Sequence, residues 1–137
     1  MIVVYYFDKK LNHCPVKEYL NHFNENNSKD KKILADINAR IKFVLQKEGI
    51  PTPPICKSLK NYHYFEIRSR KNKNTLIRIF YFRNREKIVL LSCLEKPDNY
   101  DSAKEDRKIL KQLDKTQFYQ NNFINDNTLY EEYNWPE

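Results

Sequence analysis

The chain has 137 residues, a formal net charge of +7 and 40% hydrophobic residues, which predicts one domain with a real core, because a chain of about 150 residues buries roughly 70% of its unfolded surface. No apolar run approaches the ~20 residues of a membrane span. Cys14, Cys56 and Cys93 are odd in number, widely spaced and without a CxxC, so they read as reduced thiols in a cytoplasmic protein, neither staples nor zinc ligands. The N-terminus enters "IVVYYF" with no basic region and no small-residue cleavage site, which is not the pattern of a signal peptide.

Residues 2–7 are β-branched and aromatic and read as a strand. Pro15 suits the first turn of a helix, where a missing N–H costs nothing. Val16, Tyr19, Leu20 and Phe23 then fall on one helical face. Ser28 is positioned to cap a second helix, whose buried stripe is Ile33, Leu34, Ile37, Ile41, Val44 and Leu45, ending near Glu48. Gly49, the one glycine of the chain, stands where a helix C-terminus favours positive φ, and "IPTPP" prevents continuation.

After a loop through residues 56–62, three strands are expected at 63–70, 75–82 and 87–94. Their links, "KNKN" and "RNRE", are short and polar, which predicts an antiparallel meander. Ser102 and Glu105 fit a capping box for a last helix with Ala103, Ile109, Leu110 and Leu113 on its apolar face. The order predicts an α+β domain: an N-terminal strand and a helical hairpin packed on a mainly antiparallel four-stranded sheet, with a C-terminal helix and tail. Residues 1–114 form the expected domain and 115–137 an acidic, aromatic extension. That extension folds back over the basic face and masks it, enlarges a surface for a protein partner, or packs as a terminal helix on the core edge.

Charge is unevenly distributed. Residues 1–114 carry 24 Lys/Arg against 14 Asp/Glu, and residues 115–137 one Lys against four acids. Between Lys57 and Lys87 there are ten Lys/Arg and two acids. Such a segment predicts a polyanionic partner, most often nucleic acid, although many basic proteins have none. Within it, Arg68 and Arg78 each sit in the middle of an apolar strand, where a charge must be solvated, paired or used. One reading is a cross-strand pair of Glu66 with Arg78 or with Arg68. The other is a phosphate site, since two guanidinium forks on adjacent strands could grip one phosphodiester and stabilise a phosphorane-like transition state. There is no HExxH, acidic triplet or Cys/His cluster, so no metal or other cofactor is expected.

Several segments together resemble the RelE/ParE toxin superfamily, in particular the HigB-like, phage-derived branch of type II toxin–antitoxin systems. They are "PVKEYL", the K-x-L of Lys57–Ser58–Leu59, the strand Glu66–Ile67–Arg68, the run Arg78–Ile79–Phe80–Tyr81, and "IVLLSCLEK" at 88–96. The resemblance spans roughly residues 2–110. It implies a RelE-like fold and a metal-independent, ribosome-dependent endoribonuclease that cuts mRNA and is neutralised by a small helix-turn-helix antitoxin. Carried over by position, Arg68 and Arg78 contact the phosphate, Lys57 and Lys96 flank it as cations, and Tyr81 stacks on a base or shapes the pocket. Lys60, Arg70, Lys71 and Lys73 contact RNA backbone, and Glu66 orients an arginine.

The chain departs from that pattern at Ser92, where the family often has histidine, at Pro97, where it has a second basic residue, and across "PDNYDSAKED". The general base is thus unassigned. His63 alternates with Phe65 and Ile67, His13 and His22 read as loop and helix-surface residues, and Cys93 reads as a small core residue. Two further readings stay open: a ParE-like toxin acting on DNA gyrase, and a degenerate RNA- or antitoxin-binding member without activity.

Overall fold

A computed structural model describes residues 1–98 and 102–136, with Ser102 described by its backbone alone. The fold is α+β, with three helices and a six-stranded mixed sheet. Strand β1 (Ile2–Tyr6) is followed by α1 (Pro15–Asn21) and α2 (Ser28–Gln46). The short β2 (Cys56–Ser58) leads into the meander β3 (Phe65–Asn72), β4 (Thr75–Asn84) and β5 (Lys87–Pro97). Helix α3 (Ser102–Asn125) and β6 (Tyr130–Glu132) complete the chain.

The sheet order is β2-β3-β4-β5-β1-β6. β1 runs parallel to β5, with Val4 opposite Val89, and the remaining pairs are antiparallel. Six strands replace the expected four because two three-residue strands add to the edges. Both faces of the sheet are covered. Val3, Ile67, Ile79 and Leu90 pack with Ile37 and Ile41 of the helical hairpin. Val4, Phe80 and Leu91 pack on the opposite face with Tyr119 and Phe123 of α3. Strands buried on both faces explain why "IVLL" and "IVVYY" are continuous apolar runs without polar alternation.

Local chemistry sets the helix ends. Pro15 occupies the start of α1. At α2 the cap is Asn27, one residue before the expected Ser28, and its side chain accepts the N–H groups of Lys29 and Asp30 at 2.9 and 3.2 Å. Gly49 has φ +82°, and its N–H donates to Val44 O at 2.9 Å. A Cβ there would meet Ile88 Cδ1 at 2.9 Å, so both backbone conformation and the close approach of β5 require glycine.

The expected division at residue 114 falls inside α3, which continues to Asn125. Beyond it, β6 pairs with β1, placing Tyr6 opposite Tyr130. Tyr133 packs edge-on against Tyr5 at 5.3 Å, and its hydroxyl donates to Asn38 at 3.0 Å. Residues 115–136 are thus woven into the domain, along the α3 face of the sheet and at the β1 edge. The capping-box expectation rests on the Ser102 side chain, which lies outside the described residues. Among the described residues no helix is long and apolar enough to cross a membrane.

Candidate functional site

The strand registers build a ladder on the α3 face of the sheet. Lys57 stands opposite Glu66, and Glu66 opposite Phe80. One rung along, Arg68 faces Arg78 directly, and Arg78 faces Leu94. In the next rung Arg70 faces Leu76, and Leu76 faces Lys96. Directly paired residues share a face, so Lys57, Glu66, Arg68, Arg70, Arg78 and Lys96 project from one face of four successive strands, with Lys57 and Lys96 at its two ends.

The two central arginines have different surroundings. Arg78 donates from Nε to the Glu66 carboxylate across the diagonal of the ladder, and its guanidinium centre lies 5.4 Å from the Phe80 ring. Glu66 is 2% exposed and the Arg78 side chain 12%, so this is a buried, charge-assisted pair. Arg68 makes no ion pair among the described residues, and its Nε is buried without a hydrogen-bond partner. Only its backbone is tied down: the N–H donates to Ile55 O at 3.0 Å, and the carbonyl accepts from Arg40 Nη1 at 2.8 Å.

Arg40 is a cation the sequence reading passed over. It projects from α2, where Asp36 accepts its Nε at 2.8 Å and also accepts the Ser69 hydroxyl at 2.5 Å. Past Ile55 the edge of β3 is no longer covered by β2. There Arg40, Arg68, Arg70 and Pro54 line a shallow cleft of about 190 Å³. The Asp36–Arg40 spacing of four residues is the one sequence signal that could have pointed to it.

The other expected residues divide by position. Arg70 donates to both Asp98 oxygens, at 3.1 and 3.0 Å. Lys57 and Lys60 are exposed around β2, and Lys73 is exposed in the β3–β4 turn. Lys71 lies on the hairpin face, bound to Glu95 at 2.9 and 3.1 Å beside Phe23, so it is separated from the ladder by the sheet. Tyr81 is also on that face, fully buried, with its hydroxyl donating to Gly49 O at 3.2 Å. Buried there, it has no face on which a base could stack.

Proton-transfer groups are sparse on the ladder. Ser92, opposite Phe80, is buried and hydrogen-bonded to Thr116 of α3 at 2.5 Å. His63 is exposed before β3, with its backbone held by Gln117 and Gln120. His13 pairs with Glu18 at 2.5 Å on the α1 side, and His22 caps the end of α1. Burial, reinforced by Glu95, pushes the Cys93 thiol up to about 12, so it stays protonated at neutral pH. Among the described residues no group of three His, Cys, Asp or Glu side chains is arranged to hold a metal ion. The arrangement can bind an anion through Arg68 with Lys57 and Arg70 alongside. No protein-family model, curated protein or solved structure matches the chain.

Proposed function

We propose that the chain is a type II toxin of the HigB-like branch of the RelE/ParE superfamily. In this reading it is a cytoplasmic, metal-independent endoribonuclease that cuts mRNA on the ribosome and is held in check by a small helix-turn-helix antitoxin. The observation that carries it is the ladder, in which an uncommitted arginine stands between flanking lysines on a rigid sheet. Metal-free cleavage of RNA uses the 2′-hydroxyl as nucleophile. Its oxygen attacks the adjacent phosphorus, the bond to the 5′-oxygen breaks, and a proton must reach that leaving oxygen. Arg68 fits the non-bridging oxygens, on which charge builds in the transition state. In this reading one of the flanking cations, Lys57 or Lys96, protonates the leaving oxygen. Arg78, neutralised by Glu66, braces the strand beneath Arg68.

One observation favours a second reading, a member that binds RNA, gyrase or an antitoxin without cutting RNA. With Ser92 bonded to Thr116 and all three histidines off the ladder, the 2′-hydroxyl proton has no imidazole acceptor there.

Inducing the wild-type chain and Arg68→Ala in cells, with primer extension on total mRNA, separates the readings. The nuclease reading expects growth arrest with new mRNA 5′ ends, both lost in Arg68→Ala. Arrest with intact mRNA supports the second reading, and arrest that survives Arg68→Ala overturns the site.

A further inference from the structure

A larger concavity lies at the other end of the sheet, beside β1, with β5 intervening between β1 and β4. It is a groove of about 510 Å³ between the loop after β1 and the C-terminal half of α3. Its floor is apolar, with Tyr6 and Tyr119 buried and their rings 4.7 Å apart. Leu11 on the loop and Phe118 on α3 form its walls and are left 57% and 61% exposed. Lys9, Lys10 and Lys115 stand around the rim, none of them in an ion pair among the described residues.

The walls are held in place. Asp8 is buried and accepts the backbone N–H groups of Lys10 and Leu11 at 3.1 and 3.2 Å. Its own N–H donates to His13 O at 2.8 Å. Asn122 Nδ2 donates to Tyr6 Oη at 3.1 Å. The Asp8 bonds hold the loop in its own turn and the Asn122 bond ties α3 to β1, so both walls are set before an occupant arrives and little ordering entropy is lost.

We propose that this groove docks an acidic amphipathic helix from a protein partner. The helix seats its apolar side chains between Leu11 and Phe118 and sets its carboxylates against Lys9, Lys10 and Lys115. Large apolar side chains left exposed along a concave, basic-rimmed surface mark such docking sites, and the three lysines fix the sign of the partner's charge. A nucleic-acid strand fits less well. Of the aromatic rings lining it only Phe118 is exposed for stacking, and the buried Asp8 adds a negative charge to the lining.

The test uses the full chain labelled with nitrogen-15 and a synthetic helix of roughly 18 residues, five turns, with leucines on one face and glutamates on the other. Its controls are the same peptide with alanines for leucines, the same with lysines for glutamates, and a single-stranded RNA oligonucleotide. The proposal expects the leucine–glutamate helix to shift the amides of Leu11, Phe118 and Asn122. It also expects affinity to fall at least about tenfold in Phe118→Ser and in Lys9→Glu/Lys10→Glu. The substituted positions Lys9, Lys10 and Phe118 are exposed, and an unchanged melting temperature certifies the fold of each variant. Equal binding of either control peptide, tighter binding of the RNA at these amides, or shifts mapping elsewhere overturns it. None of these readouts depends on RNA cleavage, so the docking groove and the nuclease reading fail separately.

Discussion

Removing Glu66 from beneath the arginine ladder has an effect that the structure sizes. In Glu66→Leu, Arg78 keeps its position beside Phe80 but loses its carboxylate partner, and its side chain is only 12% exposed. An uncompensated charge in such a place destabilises by about 3–5 kcal/mol. Exposed Lys57, opposite Glu66 on β2, is a further cation and gives no relief. At this chain length that lowers the melting temperature by roughly 10–15 °C. In Glu66→Leu/Arg78→Met both charges leave, and shape-matched apolar replacement of a buried pair is neutral or stabilising by about 1–4 kcal/mol. A double-mutant cycle in urea, followed by far-UV circular dichroism, reads the coupling. If Glu66→Leu loses less than about 1 kcal/mol, or if the double variant is less stable than the single one, the pair is not the buried unit described. The double variant also isolates function: a toxin that needs Arg78 only as a brace stays active when the brace is replaced by packing.

Gly49→Ala forces a side chain into positive φ and against Ile88 Cδ1 at 2.9 Å. It is expected to lose about 1–3 kcal/mol in the same urea assay, and a neutral result would mean that β5 and the α2 terminus are not in contact. Burial raises the Glu95 carboxyl, but the Tyr19 hydroxyl at 2.6 Å and the Lys71 ammonium outweigh it, leaving its pKa below the ordinary value. A depressed carboxylate stabilises the fold above its unfolded pKa and loses that contribution as pH falls through the folded one. The urea midpoints of wild type and Glu95→Gln should therefore differ at pH 7 and converge as the pH falls from the ordinary glutamate range through the depressed folded pKa; a gap that widens in acid contradicts the assignment. Truncation after Asp114 removes buried Tyr119 and Phe123 and is expected to abolish cooperative unfolding and raise trypsin sensitivity. A fully folded 1–114 fragment would restore the view of residues 115–137 as an appendage.

Much of the fold was legible because the chain marks it with strong local chemistry. Pro15, the Ile33–Val44 stripe, Gly49 and the meander links all act through short-range physics, and the α1, α2, β3, β4 and β5 elements appear close to where they were expected. Three elements were hidden for specific reasons. β2 buries only Cys56 of its three residues, and β6 is the polar Tyr130–Glu132, so neither has an alternation to detect. The second half of α3 does carry a core stripe, at Leu113, Thr116, Gln120 and Phe123, but its middle two members are polar. Thr116 is satisfied by Ser92 and Gln112, and Gln120 by the His63 carbonyl and Gln117. Those partners come from the tertiary fold, so a hydrophobicity pattern cannot show them. At the site, the Glu66–Arg78 pair was readable from strand alternation, and alternation also separates Lys71 and Tyr81 from Arg68. Arg40 was not readable, because its contact with the β3 edge depends on where α2 lies across the sheet.

Arg68 is the residue whose presence stability alone does not explain. It stands directly opposite another arginine, an arrangement of like charges that is unfavourable by some tenths of a kcal/mol to about 1 kcal/mol. Its Nε is buried without an acceptor, a further penalty of about 1–3 kcal/mol. Against these stand only the packing of its aliphatic stem and backbone bonds that any residue would make. Threonine, a good strand former without charge, keeps those bonds and removes both penalties. Arg68→Thr is therefore expected to stabilise the chain by about 0.5–1 kcal/mol, raising the melting temperature by roughly 2–4 °C, while abolishing the proposed toxicity and RNA cleavage. Greater stability with lost activity is the signature of a residue kept for a ligand. If Arg68→Thr instead lowers the urea midpoint, Arg68 is part of the scaffold, and the anion-binding role of the ladder falls with it.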